Sequence, residues 1–159
     1  MKNTDQIQQH IKNLLSNQKL AILATSDDGQ PYTSLVAFVA SDDIKHIFFV
    51  TPTSTRKFAN LKKDCRVSVL VNSSTNQASD FHEAISVTII GGAEVITTSK
   101  REIYLKNYLA KHPYLEDFAK SPTCALVRVT AKSFFLVKNF QRVMELHLTD
   151  EIDHTSLNG

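Results

Sequence analysis

The chain has 159 residues, of which 42% are hydrophobic and 21% are charged. These values are ordinary for a globular protein and exclude a disordered, collagen-like or disulfide-stapled chain. Lys and Arg number 18 against 16 Asp and Glu, and a net charge of +2 speaks against a dedicated nucleic-acid binder. We therefore expect a single domain over 1–159 with no nucleic-acid partner.

The N-terminal segment shows no export signal, because it lacks the apolar core of a secretory leader. No apolar run approaches the roughly 18 residues that a membrane span requires. We expect a cytoplasmic protein with no membrane partner. Cys65 and Cys124 lie far apart in apolar runs, without a CxxC motif or a paired histidine, so we expect two reduced, buried thiols and no metal site.

The first half of the chain predicts a helix and then a meander of strands. Ile7, Ile11 and Leu14 repeat at the spacing of an amphipathic helix. The Asp-Asp-Gly run at 27–29 is a strong hairpin signal, and Ser-Asp-Asp at 41–43 predicts a second turn. The strands that these turns join are expected at 19–25, 31–40 and 44–51.

The second half alternates short helices with strands. A helix at 56–63 leads to a strand at 65–71 and, after a loop at 72–80, to a long strand at 84–98. Gly91-Gly92 within that strand predicts a bulge or sharp bend. A capping box at 99–102 should open a helix that Pro113 ends. Closing strand is expected at 123–130 and 133–138, and the polar tail at 148–159 is expected to be loosely ordered.

The strands carry apolar residues on both faces. In the second strand, Leu35, Ala37 and Val39 point one way, and Val36 and Phe38 point the other. A sheet that is covered on one face only would alternate apolar and polar residues. We predict a mainly β fold with flanking helices, built as a split barrel of six or so antiparallel strands with its core at about 19–138.

The segment 51–57 combines a strand end, a hydroxyl-rich turn and a helix start. Unpaired N–H groups at a helix start carry partial positive charge, and Arg56 and Lys57 add two cations. Such a set suits a phosphate group. The alternative is an ordinary capped helix with two solvated basic residues.

The order of these elements resembles the FMN-binding split-barrel family, whose best-known members are the pyridoxamine 5'-phosphate oxidases. The resemblance runs from about Lys19 to Lys138 and depends on the order and spacing of short motifs rather than on any one of them. The motifs are Gly29–Tyr32, Phe48–Thr51, Thr55–Lys57, Cys65–Leu70 and Ile90–Glu94.

The resemblance implies FMN as cofactor and a homodimer with flavin at the subunit interface. The matching phosphate residues are Thr55, Arg56 and Lys57. The ring system would lie beside Val50 and Thr51 and along the second strand. The further flavin contacts that the resemblance implies are Ser34, Leu35, Val36 and Ser86.

Some positions depart from the pattern of the oxidases. Ser34 stands where the oxidases have Arg, Ser86 stands where they have Gln, and the chain has no Trp in its C-terminal tail. We therefore expect an FMN-dependent oxidoreductase of unknown small-molecule substrate, not a true pyridoxamine phosphate oxidase. The alternatives are a flavin or heme carrier or sensor without turnover, a heme-utilisation relative, and a barrel that has lost its cofactor.

The sequence assigns no catalytic residue, since a flavin accepts electrons or hydride itself and the protein mainly orients it. Six histidines are scattered along the chain, and none forms a metal-binding pair on a helix. His82 could line a flavin site, and His147 could bind heme, although a solvated histidine is the simpler interpretation of both.

Overall fold

The computed structural model describes residues 2–148. Seven antiparallel strands follow the order β3-β2-β1-β4-β5-β6-β7, and an additional pairing of β3 with β6 closes the first six of these into a barrel. The strands are β1 (Leu20–Asp27), β2 (Gln30–Ala40), β3 (His46–Pro52), β4 (Arg66–Asn72), β5 (Ile85–Val95), β6 (Cys124–Lys138) and β7 (Arg142–His147). The helices are α1 (Lys2–Asn17), α2 (Arg56–Lys63), α3 (Asp80–Glu83), α4 (Arg101–Lys111) and α5 (Glu116–Lys120), with a 3₁₀ turn at Pro113–Leu115. The predicted closed barrel of six antiparallel strands with flanking helices is confirmed.

The hairpin between β1 and β2 follows from its turn residues. Asp28 and Gly29 have φ values of 49° and 85°, which is the left-handed conformation that a two-residue hairpin requires and that Asp-Gly favours. The turn sets the register, so that Leu23 lies opposite Ser34. Because side chains alternate along a strand, Ser34 shares the inward face of β2 with the buried Val36.

The barrel wall buries apolar side chains on both faces, as predicted from β2. Phe38 and Phe49 belong to the interior core. Phe48, Val50 and Tyr108 belong to a second cluster, which α4 and α5 cover on the outside of the barrel. Alternate residues of β3 therefore enter two different cores, and this explains why the strand is apolar without a break.

The Gly91-Gly92 step lies at a change of register between β5 and β6. Ile90 lies opposite Ser133 and Gly91 opposite Ala131, so that Lys132 is the extra residue. The predicted bulge is confirmed, with its extra residue on the neighbouring strand. Because a bulge interrupts pairing without ending the strand, the two predicted closing segments form the single strand β6.

Two local predictions are wrong. Lys100 precedes the first residue of α4, and no side chain caps this helix, so Ser99 does not form the predicted capping box. Cys65 is exposed because it lies before β4 begins, whereas Cys124 is buried as predicted. Both thiols are free.

The strand β7 was not predicted. Its alternating pattern is weak, and it depends on a long-range pairing with β6 that joins Lys138 to Arg142 and Ser133 to His147. Of the predicted loose tail only Leu148 is described, and its N–H donates to Lys132 O at 2.9 Å; the rest lies outside the described residues. No helix within 2–148 is long and apolar enough to cross a membrane.

Lys111 brings a half-buried amine to the junction of α1, α4 and β2. Its Nζ donates to Leu15 O at 3.0 Å and lies 4.0 Å from the centroid of the Phe38 ring. No acidic side chain of residues 2–148 forms an ion pair with it. Burial lowers the pKa of Lys111 from 10.5 to about 8.

This lowered pKa predicts a specific dependence of stability on pH. The unfolded chain keeps the proton up to about pH 10.5, whereas the folded chain releases it near pH 8. Between these values the unfolded state binds more protons, so the contribution of Lys111 to the free energy of unfolding should rise with pH. Urea denaturation at pH 7.5, 8.5 and 9.5 (roughly spanning this window) should show a steeper rise for the wild type than for Lys111→Met. Parallel pH profiles would contradict the prediction.

Candidate functional site

The barrel is split between β2 and β3. The ladder between these strands runs only from the Ala40–Ile47 pair to the Phe38–Phe49 pair. Before Phe38, β2 pairs with β1 alone, and β3 continues to Pro52 with β6 as its partner. In the described structure, the free edge of β2 beside this cleft therefore has no strand partner, and its outward backbone groups are available to a ligand.

The chain enters α2 directly after the cleft, and Thr55 organises the entry. Its Oγ1 donates to Pro52 O at 2.9 Å, accepts from Phe58 N at 3.4 Å and lies 3.0 Å from Thr51 Oγ1. Thr55 has extended backbone geometry and is the N-cap of α2. The one hydroxyl hydrogen of Thr55 is donated to Pro52 O. Thr55 therefore mainly fixes the conformation of the helix start, and with it the direction of the N–H groups there.

The first turn of α2 carries two positive charges that form no ion pair of their own. Asp27, whose pKa is lowered mainly by its hydrogen bond with Lys63, also interacts electrostatically with Arg56. Arg56 and Lys57 stand there with no acidic residue, and neither forms an ion pair within the described part of the chain. The backbone N–H groups of Arg56 and Lys57 also donate to no acceptor within the described residues. The helix dipole makes this end of α2 unfavourable for cations. A bound anion would reverse that effect, and the two N–H groups are oriented to bind one.

Tyr32 stands beside this cluster. Its ring centroid lies 5.8 Å from the guanidinium carbon of Arg56, and the side chain is 39% exposed. Tyr32 was not among the predicted site residues. Only the packing of α2 beside β2 brings Arg56 to this ring. The contact with the ring limits the positions of the Arg56 side chain.

Polar groups occupy the inside of this barrel end. The Oγ of Ser34 is buried and has no hydrogen-bond partner. Below α2, Asn60 Nδ2 donates to Thr25 Oγ1 at 3.1 Å, and both residues are buried. A buried hydroxyl without a partner is unfavourable. Because this Oγ is closed to solvent on the inward face of β2, a polar ligand atom would reach it only if neighbouring side chains moved aside.

The other residues predicted to contact the flavin differ in how far their side chains are exposed. Leu35 is 62% exposed on the outer face of β2, whereas Val36 and Val50 are buried in the two cores. Thr51 is also buried. Val36, Val50 and Thr51 can therefore contribute backbone groups to a ligand but no open side-chain surface.

Ser86 is separated from the start of α2. It pairs with Val137 of β6, whereas Thr51 pairs with Ala125. These two β6 positions are twelve residues apart, which corresponds to about 40 Å of strand path at 3.3 Å per residue. Through β4, β1 and β2, on the other side of the barrel, the pairings place Ser86 in line with Val50 but four strands away from it, so Ser86 belongs to a different part of the barrel wall from the start of α2.

The histidines that were considered as ligands are both exposed. His82 belongs to the short helix α3. His147 lies on β7, with Nδ1 2.8 Å from Ser133 Oγ and Nε2 2.9 Å from Glu145 Oε2. A metal or heme iron at His147 would displace one of these bonds. Within residues 2–148, no group of three or more His, Cys, Asp or Glu residues is placed to hold a metal ion.

Solved structures with the same fold include a heme-binding protein and a FAD-binding protein. A heme-binding protein from Mycobacterium smegmatis aligns with a TM-score of 0.76 and 14% identity over 86% of this chain and 55% of its own. This chain thus spans little more than half of that protein. A FAD-binding protein from Mesorhizobium loti aligns with a TM-score of 0.66 and 17% identity, over 80% and 91% of the two chains. At these identities the likeness shows the fold alone.

A third structure comes from Clostridium acetobutylicum and is related to general stress protein 26 of Bacillus subtilis, in the pyridoxinephosphate oxidase family. It aligns with a TM-score of 0.71 and 16% identity, over 91% of this chain and 96% of its own. No curated protein matches the chain. The family model described as pyridoxamine 5'-phosphate oxidase, however, matches residues 7–138. Together with the split barrel, this match shows that the chain belongs to the pyridoxamine 5'-phosphate oxidase-like family.

Proposed function

We propose that the protein binds FMN, with the phosphate at the start of α2 and the ring system in the cleft between β2 and β3. The observation that carries this proposal is the first turn of α2. It holds two unpaired cations and two free N–H groups, and it has no acidic residue. Family membership supports a flavin, and the phosphate-binding chemistry of this turn supports FMN in particular.

Each residue of the cluster has a distinct role. Arg56 can bind two phosphate oxygens with its planar guanidinium, while Lys57 acts as a point charge. Thr55 holds the helix start so that the N–H groups of both residues face the same anion. The free edge of β2 supplies backbone groups for the polar edge of a ring, and the enclosed hydroxyl of Ser34 lies behind that edge, on the inward face of the strand.

FMN supplies electron- or hydride-transfer chemistry when it is bound. The chain's own contribution is to hold the phosphate, orient the ring and exclude water from one of its faces. We therefore propose a flavin-dependent oxidoreductase that acts on a small molecule. The departures at Ser34 and Ser86 and the absence of Trp support a substrate other than that of the pyridoxamine phosphate oxidases.

We also propose a homodimer that closes the cleft. The outer face of the sheet is apolar, since Leu35 lies opposite Ile22 of β1, which in turn lies opposite Leu70 of β4. On the same side of the barrel wall Leu20 is 52% and Leu35 62% exposed. A contiguous exposed apolar surface of this kind marks an interface, and a twofold axis would bring each Ser86 toward the other subunit's cleft. Light scattering should therefore report a dimer.

The test of the proposal is a comparison of two flavins. We expect FMN fluorescence to be quenched with one flavin bound per chain, and riboflavin, which lacks the phosphate, to bind at least about tenfold more weakly because it loses charged contacts. Equal affinities for FMN and riboflavin would contradict the phosphate site.

The heme-carrier alternative is favoured by the exposure of His147 and by the M. smegmatis neighbour. It would instead show a Soret band on addition of hemin and no flavin binding.

A further inference from the structure

A second concave site lies where α1 and α4 meet the end of β2 that pairs with β3. This pocket has a volume of about 180 Å³ and is bordered by the end of α1, the last residues of β2, the turn before β3 and Lys111 at the end of α4. Its apolar wall includes Leu15 and Ile44, which are both buried. None of its lining residues within 2–148 belongs to the proposed flavin cleft or to the apolar face of the proposed dimer.

The amine of Lys111 is held at a defined place in this pocket. Its Nζ donates to Leu15 O at 3.0 Å and lies 4.0 Å from the centroid of the Phe38 ring. When the amine is neutral, one N–H continues to donate to Leu15 O, and the lone pair of Nζ then points away from that carbonyl. Lys111 therefore presents a nucleophile to whatever occupies the pocket.

The charged and titratable groups around Lys111 leave its amine partly neutral. Lys12 on α1 and Asp42 in the turn after β2 line the same pocket with opposite charges. His112 follows Lys111, with its Nε2 2.7 Å from Phe38 O, and burial lowers its pKa below 6.5. Burial also lowers the pKa of Lys111 to about 8. At roughly pH 7.5 about a quarter of such amines are neutral, against about one in a thousand for an ordinary lysine.

The turn that closes the pocket is strained at Ile44. Its φ is 60°, a left-handed conformation that a β-branched residue rarely adopts. Its N–H donates to Ser41 O at 2.9 Å, and its side chain is 1% exposed. Glycine would make this turn at lower cost but would remove an apolar wall of the pocket. Strain of this kind clusters at functional sites, and here it keeps an apolar surface in the pocket that Lys111 lines.

The polar groups of the pocket favour an uncharged occupant. Ser16 Oγ donates to Lys12 O at 2.8 Å, and Ser41 Oγ donates to Asp43 Oδ1 at 2.6 Å. Both hydroxyl hydrogens are therefore used, so these side chains offer acceptors and no donor to a ligand. An anion would lose its hydration here and would also meet the carboxylate of Asp42.

We propose that Lys111 captures a short, uncharged aldehyde in this pocket as an imine. The lone pair of Nζ attacks the carbonyl carbon, so that a C–N bond forms while the π electrons of the carbonyl move to its oxygen. A proton passes from the nitrogen to that oxygen. The hydroxyl then leaves with the second amine proton as water, and a C=N bond remains. Amine and aldehyde thus give an imine and one water, and no oxidant or reductant is consumed.

The size of the pocket limits the aldehyde. Its volume is below the range of about 300 Å³ upward that is common for ligand pockets, and this suits a chain of a few carbons. The inference does not rest on the flavin proposal, because the pocket lies beside the closed part of the β2–β3 ladder and not in the cleft.

The test uses propanal and cyanoborohydride, which reduces an imine to a stable secondary amine. The full chain is labelled without FMN at roughly pH 7.5, and mass spectrometry of its peptides gives the rate at each lysine. Lys106, which is exposed on the same helix, is the internal control. We expect Lys111 to be labelled at least about tenfold faster, because a far larger share of its amine is neutral. Labelling of Lys111 should also rise with pH through about 8. Equal rates at the two lysines would overturn the proposal.

A second aldehyde separates the pocket from basicity alone. Biphenyl-4-carbaldehyde, with two aromatic rings, is too large for the pocket, so Lys106 should now be labelled at least as fast as Lys111. The ratio of the two lysines cancels the difference in reactivity between the aldehydes. The same preference for Lys111 with both aldehydes would overturn the proposal, because the pocket would then select nothing. Saturating FMN should leave the labelling by propanal unchanged. Protection of Lys111 by FMN would also overturn the proposal, because Lys111 would then belong to the flavin site.

Discussion

Replacing Arg56 and Lys57 together by alanine should weaken FMN binding at least about tenfold. A hydrogen bond to a charged group contributes on the order of 1.5–3 kcal/mol, and the double variant removes two cations that have no other ion-pair partner in the described structure. Isothermal titration with FMN at two salt concentrations measures the effect. The wild-type affinity should fall with added salt, and the affinity of the variant should be nearly independent of it.

The same double variant should be at least as stable as the wild type without ligand. Each cation in the first turn opposes the helix dipole by about 0.3–1 kcal/mol, and alanine has the highest helix propensity. A variant that loses FMN affinity but keeps or gains stability has lost a binding role and not a structural one.

A control variant, Lys45→Ala with Lys62→Ala, removes two exposed cations away from the first turn and should bind FMN as the wild type does. FMN affinity that is unchanged in the Arg56/Lys57 variant would refute the assignment of the phosphate site.

Gly91→Ala should be among the most destabilising single substitutions in the barrel. A Cβ at this position would lie 2.3 Å from Thr130 O and 3.0 Å from Thr130 C, so the β6 backbone would have to move at the bulge. Forcing extra atoms into a packed wall typically costs about 1–3 kcal/mol, and we expect the upper end of this range because the obstacle is backbone. The melting temperature should fall by roughly 6–12 °C, as measured by circular dichroism.

Gly92→Ala is the matched control. The two glycines are adjacent in β5, but a Cβ at Gly92 meets no atom within 4 Å. Alanine there should leave the stability unchanged or raise it by up to about 1 kcal/mol, because it restricts the unfolded chain. If both variants were equally stable, the close approach of β5 and β6 at the bulge would not be the reason for Gly91.

Much of the barrel could be predicted because its signals are local. The Asp28-Gly29 turn, the apolar alternation of β2 and the helical spacing of α1 each depend on neighbouring residues. The capping box at Ser99 failed although it had the required residue types, because the chain enters α4 through Lys100 in a helical conformation. The exposure of Cys65 was missed for a related reason, since a one-residue shift in the start of β4 decides it.

The cationic start of α2 was predicted as a set, because Thr55, Arg56 and Lys57 are consecutive. Contacts that reach this turn from elsewhere in the chain are harder to predict. Tyr32 was missed, because its contact with Arg56 spans 24 positions of the chain, from 32 to 56. Ser86 was grouped with the turn through the family resemblance, and the strand pairings place it on β5, four strands from Val50.

The sequence by itself determined the strand and helix periods, the tight turns, and the cationic helix start, since each of these depends on the side chains within a few residues. Only the tertiary structure decided where β2 separates from β3, which face of β3 meets α4, and that β7 pairs with β6. It also brought Leu70, Ser86 and Phe140 together around one pocket. These features depend on strand register and barrel closure, which are collective properties of residues far apart in the chain and leave no periodic signal in any one segment.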